Sequence, residues 1–248
     1  MSEHPLAIKC KHCNFDFQGQ FCSECGKPKH PKRIDAPLIL AELASIFNFQ
    51  KGIFFTIKEL LIRPGKSIQK YINEDRTLLV KPISFIILCS LIYIILQNKL
   101  LFEDGYLNYT DLKWGNPVSD SIILWISTNY GLANIIMAFF TAFWVKILFE
   151  NYEYNFFEIL ILLYFIMGTQ MLLFSFFGLV ESATNYRVLD KMSIIVILYF
   201  SWAVGQFFDG KKKINYLKGL FGYFLGIISF IFTAIILGKI THEIISLF

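Results

Sequence analysis

Five stretches of apolar sequence, near residues 78–97, 132–149, 156–180, 190–208 and 214–237, each approach the roughly 20 residues that a helix needs to cross a bilayer. Water is absent from the hydrocarbon core, so such stretches must satisfy their own backbone groups, and a helix does so locally. With 55% hydrophobic and 17% aromatic residues and a mean hydropathy of +0.53, the chain is too apolar for one soluble core. An all-α integral membrane helical bundle of about five spans, residues 78–248, is predicted. The opening MSEHPLAIKC passes directly into polar sequence and lacks the pattern of a signal peptide. Residues 1–81 hold 13 of the 23 Lys and Arg. With five spans and the N-terminus inside, 18 cations face the cytoplasm, against Lys99, Lys113, Arg187, Lys191 and Lys239 on the other side. That bias predicts a cytoplasmic N-terminus and an outer C-terminus.

The head, residues 1–33, carries Cys10, Cys13, Cys22 and Cys25, two CxxC pairs separated by eight residues. This is the spacing of a structural zinc ribbon, in which each pair supplies one edge of a tetrahedron of thiolates; an iron–sulfur cluster or paired redox disulfides are the other readings. Four cysteines leave no open position for catalysis. Asn14 and Gly26 follow the two knuckles and tolerate the positive φ that such turns need. Phe15, Phe17 and Phe21 are expected to cover the metal, and metal binding to supply the folding energy of so short a segment. His12, inside the first knuckle, is expected to be exposed. Thiolates require a reducing compartment, which agrees with the orientation drawn from charge. The linker KPKHPKR reads as a solvated tether near a membrane; its few cations lack aromatic interleaving, so nucleic acid is not indicated.

Residues 34–77 read as amphipathic, interfacial helices. The first runs from Asp35 or Pro37 to Phe49, with Leu38, Leu40, Leu43, Ile46 and Phe47 as its stripe. In the next, Ile53, Phe54, Ile57, Leu60 and Leu61 recur at helical spacing beside Lys58, Arg63, Lys66 and Lys70, the pattern of a basic helix on a bilayer surface. Arg63-Pro64-Gly65 ends one helix and restarts another. Gly65-Lys66-Ser67 is not a phosphate loop, because Leu60 stands where that motif needs glycine and no strand precedes it. Tyr71, Asp75 and Arg76 close the segment, in a surface ion-pair role.

The ribbon ending FCSECG, the run KGIFFTIKELLIRPGKSIQKYI, Arg76 and the proline opening the first span resemble a bacterial membrane family catalogued as domain of unknown function 3667. The matching positions are Cys10, Cys13, Cys22, Cys25, Gly52, Thr56, Leu60, Arg63, Pro64, Gly65, Tyr71, Arg76 and Pro82. The resemblance implies a zinc ribbon attached to an integral bundle in a bacterial inner membrane, with no assigned activity. Gly26-Lys27 and Glu74-Asp75-Arg76 depart from the family's Gly-Gln and Gly-Lys-Arg. The order of a head and five spans is also similar to Yip1-like membrane proteins, and the build to small accessory proteins of RNA-targeting CRISPR systems.

In the body, Cys89 is expected to be core packing, Glu103, Asp104 and Asp111 a solvated outer loop, and Ile122–Ser127 a short interfacial helix. Lys146 is placed to snorkel. Glu150, Glu153 and Glu158 form an inner acidic rim that would dock the cationic helices, Arg63 on Glu153. Gly222 and Gly226 are spaced as GxxxG, a contact that would allow a homo-oligomer. The polar residues within the spans, Asn134, Thr141, Thr169, Gln170, Ser175, Ser201, Gln206, Ser229 and Thr233, suit interhelical hydrogen bonds, and no ionisable group sits at mid-membrane depth to couple transport. HExxH and GxSxG are absent, so no catalytic residue is nominated and an enzyme is not expected. The expected function is a membrane-anchored scaffold whose zinc ribbon meets a cytosolic protein. The alternative is an oligomeric pore or membrane-perturbing effector, for example in CRISPR-associated antiviral defence.

Overall fold

Proline opens three of the helices, because its fixed φ suits a first helical turn and its missing N–H is not needed there. A computed structural model of the chain describes residues 8–29, 52–100, 117–184, 186 and 188–246. The predicted helix around Leu38 to Phe47, the tether beyond Lys29 and the loop carrying Glu103, Asp104 and Asp111 lie outside the described residues. The order is β1 (Ile8–Lys9), β2 (Asp16–Phe17), α1 (Ile53–Ile62), α2 (Pro64–Asn73), α3 (Pro82–Leu100), α4 (Pro117–Thr128), α5 (Tyr130–Leu148), α6 (Phe156–Thr184), α7 (Leu189–Asp209) and α8 (Lys213–Ser246).

Five helices, Pro82–Leu100, Tyr130–Leu148, Phe156–Thr184, Lys191–Asp209 and Lys213–Glu243, are long and apolar enough to cross a membrane. The protein is therefore a four-cysteine ribbon joined to a helical membrane bundle. The ends differ from expectation where local chemistry decides them. The first span starts at Pro82 and not at Leu78, leaving Leu79 and Val80 buried in the turn before it. The short helix expected at Ile122–Ser127 begins at Pro117.

α6 is apolar on every side and takes the centre, buried along most of its length among α3, α5 and α7. Its first turn is closed by a reciprocal capping box: Glu158 N–H donates to Asn155 Oδ1 (2.9 Å) and Asn155 N–H to Glu158 Oε2 (2.7 Å). This is where the buried Glu158 of the acidic rim goes. α8 packs outside α5 and α7, and α4 lies along α8. Gly226 brings the backbones of α5 and α8 together; a Cβ there would stand 2.8 Å from Thr141 Cα, and one at Gly222 would stand 3.0 Å from Val145 Cγ2. The GxxxG pair thus serves a contact inside this chain, with α5 as its partner.

Most of the polar residues of the spans fall into two groups; Gln206 instead accepts from Lys66 N–H of α2 (3.3 Å), and Asn134 is buried. Gln170 Nε2 donates to Val196 O (3.0 Å), Ser201 Oγ to Tyr216 O (2.6 Å) and Trp144 Nε1 to Ser229 Oγ (3.1 Å), tying helix to helix. Thr141, Thr169, Ser175 and Thr233 instead bond back to the carbonyl four residues earlier in their own helices. At the end of the bundle nearest the ribbon, Lys146 Nζ donates to Tyr154 O (2.7 Å) and Lys218 Nζ to Leu148 O (2.8 Å), the latter meeting a carbonyl that the end of α5 leaves open. Phe149 stacks on Phe208 there at 3.8 Å, beside Tyr152 and Tyr154. Aromatic rings with snorkelling cations are what a membrane–water boundary selects.

Candidate metal centre and its dock on the bundle

The ribbon is two copies of one turn. In the first, Asn14 N–H donates to Cys10 O (3.0 Å) and Cys10 N–H to Phe15 O (2.9 Å); in the second, Gly26 N–H donates to Cys22 O (2.8 Å) and Cys22 N–H to Lys27 O (2.7 Å). The residue that closes each turn has a left-handed backbone, φ 61° at Asn14 and 69° at Gly26, as their positions after the knuckles predicted. β1 pairs antiparallel with β2, Ile8 against Phe17 and Lys9 against Asp16.

These turns aim four sulfurs at one point. Cys10, Cys13, Cys22 and Cys25 Sγ all lie within 4.8 Å of one another, with Cys10 and Cys25 3.6 Å apart and Cys13 and Cys22 3.6 Å apart. Metal–sulfur bonds of about 2.3 Å in a tetrahedron set the sulfurs about 3.8 Å apart, so the four can hold a metal ion with little movement. The amides of Cys13 and His12 donate to the Cys10 sulfur and bring its thiol down to about 6; Cys13, although the Phe15 amide favours its thiolate, is pushed up to about 12 by desolvation and by the neighbouring sulfurs. The Cys10 sulfur is ready to bind as thiolate, and Cys13 gives up its proton when a cation arrives. Cys89 lies buried in the bundle, away from this cluster.

Phe17 is buried against the cysteines, but Phe15 and Phe21 are 46% and 64% exposed. Neither is buried over the cysteines as expected; only Phe17 packs against them.

The ribbon rests on the turn after α2. His12 Nδ1 lies 2.8 Å from Asp75 Oδ2, Lys27 Nζ donates to Asp75 Oδ1 (2.5 Å) and to Thr77 Oγ1, and Lys11 Nζ lies 3.8 Å from Glu74 Oε1. Thr77 adds its own N–H (2.8 Å) and hydroxyl (2.6 Å) to Asp75 Oδ1. Burial works to raise the Asp75 carboxyl, but the Lys27 ammonium and the Thr77 donors outweigh it and hold it at about 2. Asp75, read from sequence as a surface ion-pair residue, is the buried anchor of the head. His12, half-exposed, is one of its partners. The signal for this was the Asp-x-Thr turn itself; nothing in the sequence gave its partners on the ribbon.

The residues placed at the membrane interface sort differently. Thr56, Leu60, Pro64, Gly65 and Tyr71 are buried against the bundle, and Gly52 is exposed at the entry to α1. Thr56 Oγ1 accepts the Val80 N–H (3.0 Å), Tyr71 packs edge-on to Phe165 (5.3 Å between centroids), and Pro82 opens α3. Arg76 is half-buried in the turn that carries Asp75. Arg63 faces Glu59, its Nε and Nη2 2.8 and 2.9 Å from the two carboxylate oxygens, and this replaces the expected pairing with Glu153.

Residues 50–94 match the family described as protein of unknown function (DUF3667). The DUF3667 match covers α1, α2, the docking turn and most of α3, the stretch whose resemblance was noted in the sequence, and stops short of the ribbon on one side and of four spans on the other. No curated protein and no solved structure matches the chain.

Proposed function

We propose that the protein is a membrane-anchored binding protein, in which a zinc-loaded ribbon, fixed to the cytoplasmic end of the bundle, presents its outer face to a protein partner. One observation carries this reading: the ribbon uses His12 and Lys27 to hold the bundle while leaving Phe15 and Phe21 in the open. Exposed aromatics on a rigid, metal-closed module are what a protein interface draws on. Zinc is favoured by the closed set of four cysteines, and a structural role by the lack of a free coordination position. The cytoplasmic placement rests on the excess of Lys and Arg at the ribbon end and on the need for reduced thiols. Scaffold is preferred to pore because the polar groups of α6 are spent on Val196 O and on their own helix.

The test uses purified full-length protein. Elemental analysis should find one zinc per chain, absent from Cys22→Ser/Cys25→Ser. A photo-crosslinking residue at position 21 should capture a partner protein that the same residue at exposed Phe176, on α6, does not. Equal capture at both positions, or capture that survives loss of the cysteines, rejects the reading. Ion flux from vesicles holding the purified chain would favour the pore.

A further inference from the structure

The hairpin α1–α2 does not lie flat on the bundle's end. α7 finishes at Asp209, followed by Gly210 and Lys211, which mark the boundary of the apolar layer at the ribbon end. Gly65, at the start of α2, meets α7 close to that boundary: a Cβ there would stand 2.4 Å from Phe207 N, and Lys66 N–H donates to Gln206 Oε1 (3.3 Å). Leu60, near the end of α1, meets α7 much deeper, where its carbonyl accepts from the Tyr199 hydroxyl at 3.0 Å. Tyr199 lies ten residues before Asp209, which is about 15 Å of helix, the thickness of one leaflet's hydrocarbon. Its side chain leans toward the start of α7, away from the boundary, so the hydroxyl is no shallower than its Cα.

The polar groups of the hairpin are handled as lipid requires. The Leu60 carbonyl, left open by the end of α1, is closed by Tyr199 and not by water. The Arg63 guanidinium forks onto Glu59, and Ser67 Oγ donates to the same carboxylate at 2.7 Å, so the two charges at the tip cancel and Glu59 is saturated. Opposite the buried Thr56 and Leu60, α1 exposes Phe54 (83%), Phe55 (48%), Leu61 (42%) and Ile62 (60%). Lys66, whose N–H meets Gln206 near the boundary, is an exposed cation with a stem long enough to reach phosphates.

We propose that α1 and α2 form a re-entrant hairpin, sunk into the ribbon-side leaflet, with Phe54, Phe55, Leu61 and Ile62 packed among lipid acyl chains and Lys66 at the headgroup phosphates. The surface-lying helix expected from the sequence is thereby replaced by one that displaces lipid from a single leaflet.

The test reads depth. Full-length Ile62→Trp and Phe54→Trp, both at exposed positions, are placed in phosphatidylcholine vesicles with and without bromine at the middle of the acyl chains, and the emission of the unsubstituted protein is subtracted. The added tryptophan at 62 should lose most of its emission to the bromines and little to aqueous acrylamide, with position 54 also quenched by bromine placed nearer the headgroup. Phe21→Trp, on the ribbon, should show the opposite pattern. Quenching of position 62 by acrylamide would return the hairpin to the surface, and quenching by neither agent would mean that protein covers the face; both overturn the proposal. The outcome is independent of whether the ribbon binds zinc or a partner.

Discussion

Asp75 is the residue on which the two parts of the chain depend, since His12, Lys27 and Thr77 all converge on its carboxylate. Its folded-state value of about 2 lies below the ordinary 3.8, so the stability it contributes is complete above the ordinary value and is lost as pH falls toward 2. Protons compete with the metal for the four sulfurs, so acidification also weakens the metal's hold. If the ribbon's fold depends on its metal, it should leave Asp75 when the metal is released. Hydrogen exchange at residues 75–77, followed beside metal release, checks this; protection that persists in metal-free protein down to the carboxylate range would separate the two events. At neutral pH, Asp75→Asn keeps the Thr77 turn but removes the charge facing Lys27, and should undock a ribbon that still binds its metal, seen as loss of a carbodiimide cross-link between Lys11 and Glu74, which lie 3.8 Å apart across the same dock. The cysteine set and the turn residues Asn14 and Gly26 were legible in the sequence because each knuckle is built from neighbours in the chain. Asp75 with His12 and Lys27 was not, because the docking joins segments that only the folded protein brings together.

Among the elements, the hairpin and the α5–α8 pair rest on glycines that admit another backbone. Gly65→Leu would drive a side chain into the main chain of α7 at Phe207, and Gly226→Leu into Thr141 of α5. Each should cost about 1–3 kcal/mol, the usual penalty of overpacking, read as a lowered Tm in detergent. Gly222→Ala meets the ends of the Val145 and Leu148 side chains, at 3.0 and 3.4 Å, with the nearest backbone atom 3.8 Å away, and should cost less. All three should leave the oligomeric state unchanged, since these glycines face the chain's own helices; dissociation of an oligomer by Gly226→Leu would contradict the packing. Truncation at Leu60→Ala removes a fully buried side chain and should cost about 2–5 kcal/mol. Helix existence was readable from hydropathy, and the break at Arg63-Pro64-Gly65 from proline chemistry. GxxxG was readable as a close contact but not as to which helix receives it, because a small face fits any neighbour.

For the molecule as a whole, ribbon and bundle draw on different sources of stability. Chelation of the metal, or Cys22→Ser/Cys25→Ser, should unfold residues 8–29 and leave far-UV helical circular dichroism almost unchanged, since the ribbon's strands are only two residues each. A large loss of helical signal would mean that the bundle needs its head. The fold class was legible because lipid leaves so few ways to satisfy a backbone, whereas the central place of α6 was not, its composition differing little from that of its neighbours. The lengths of the rods carry one more consequence. α5 has 19 residues, about 28 Å, while the apolar part of α8, Ile214 to Gly238, is about 37 Å long and is clamped near its far end where Gly238 meets Ser119 of α4. To suit both rods, α8 has to lean or the lipid has to swell on its flank, so the protein should partition toward thicker regions of a mixed bilayer.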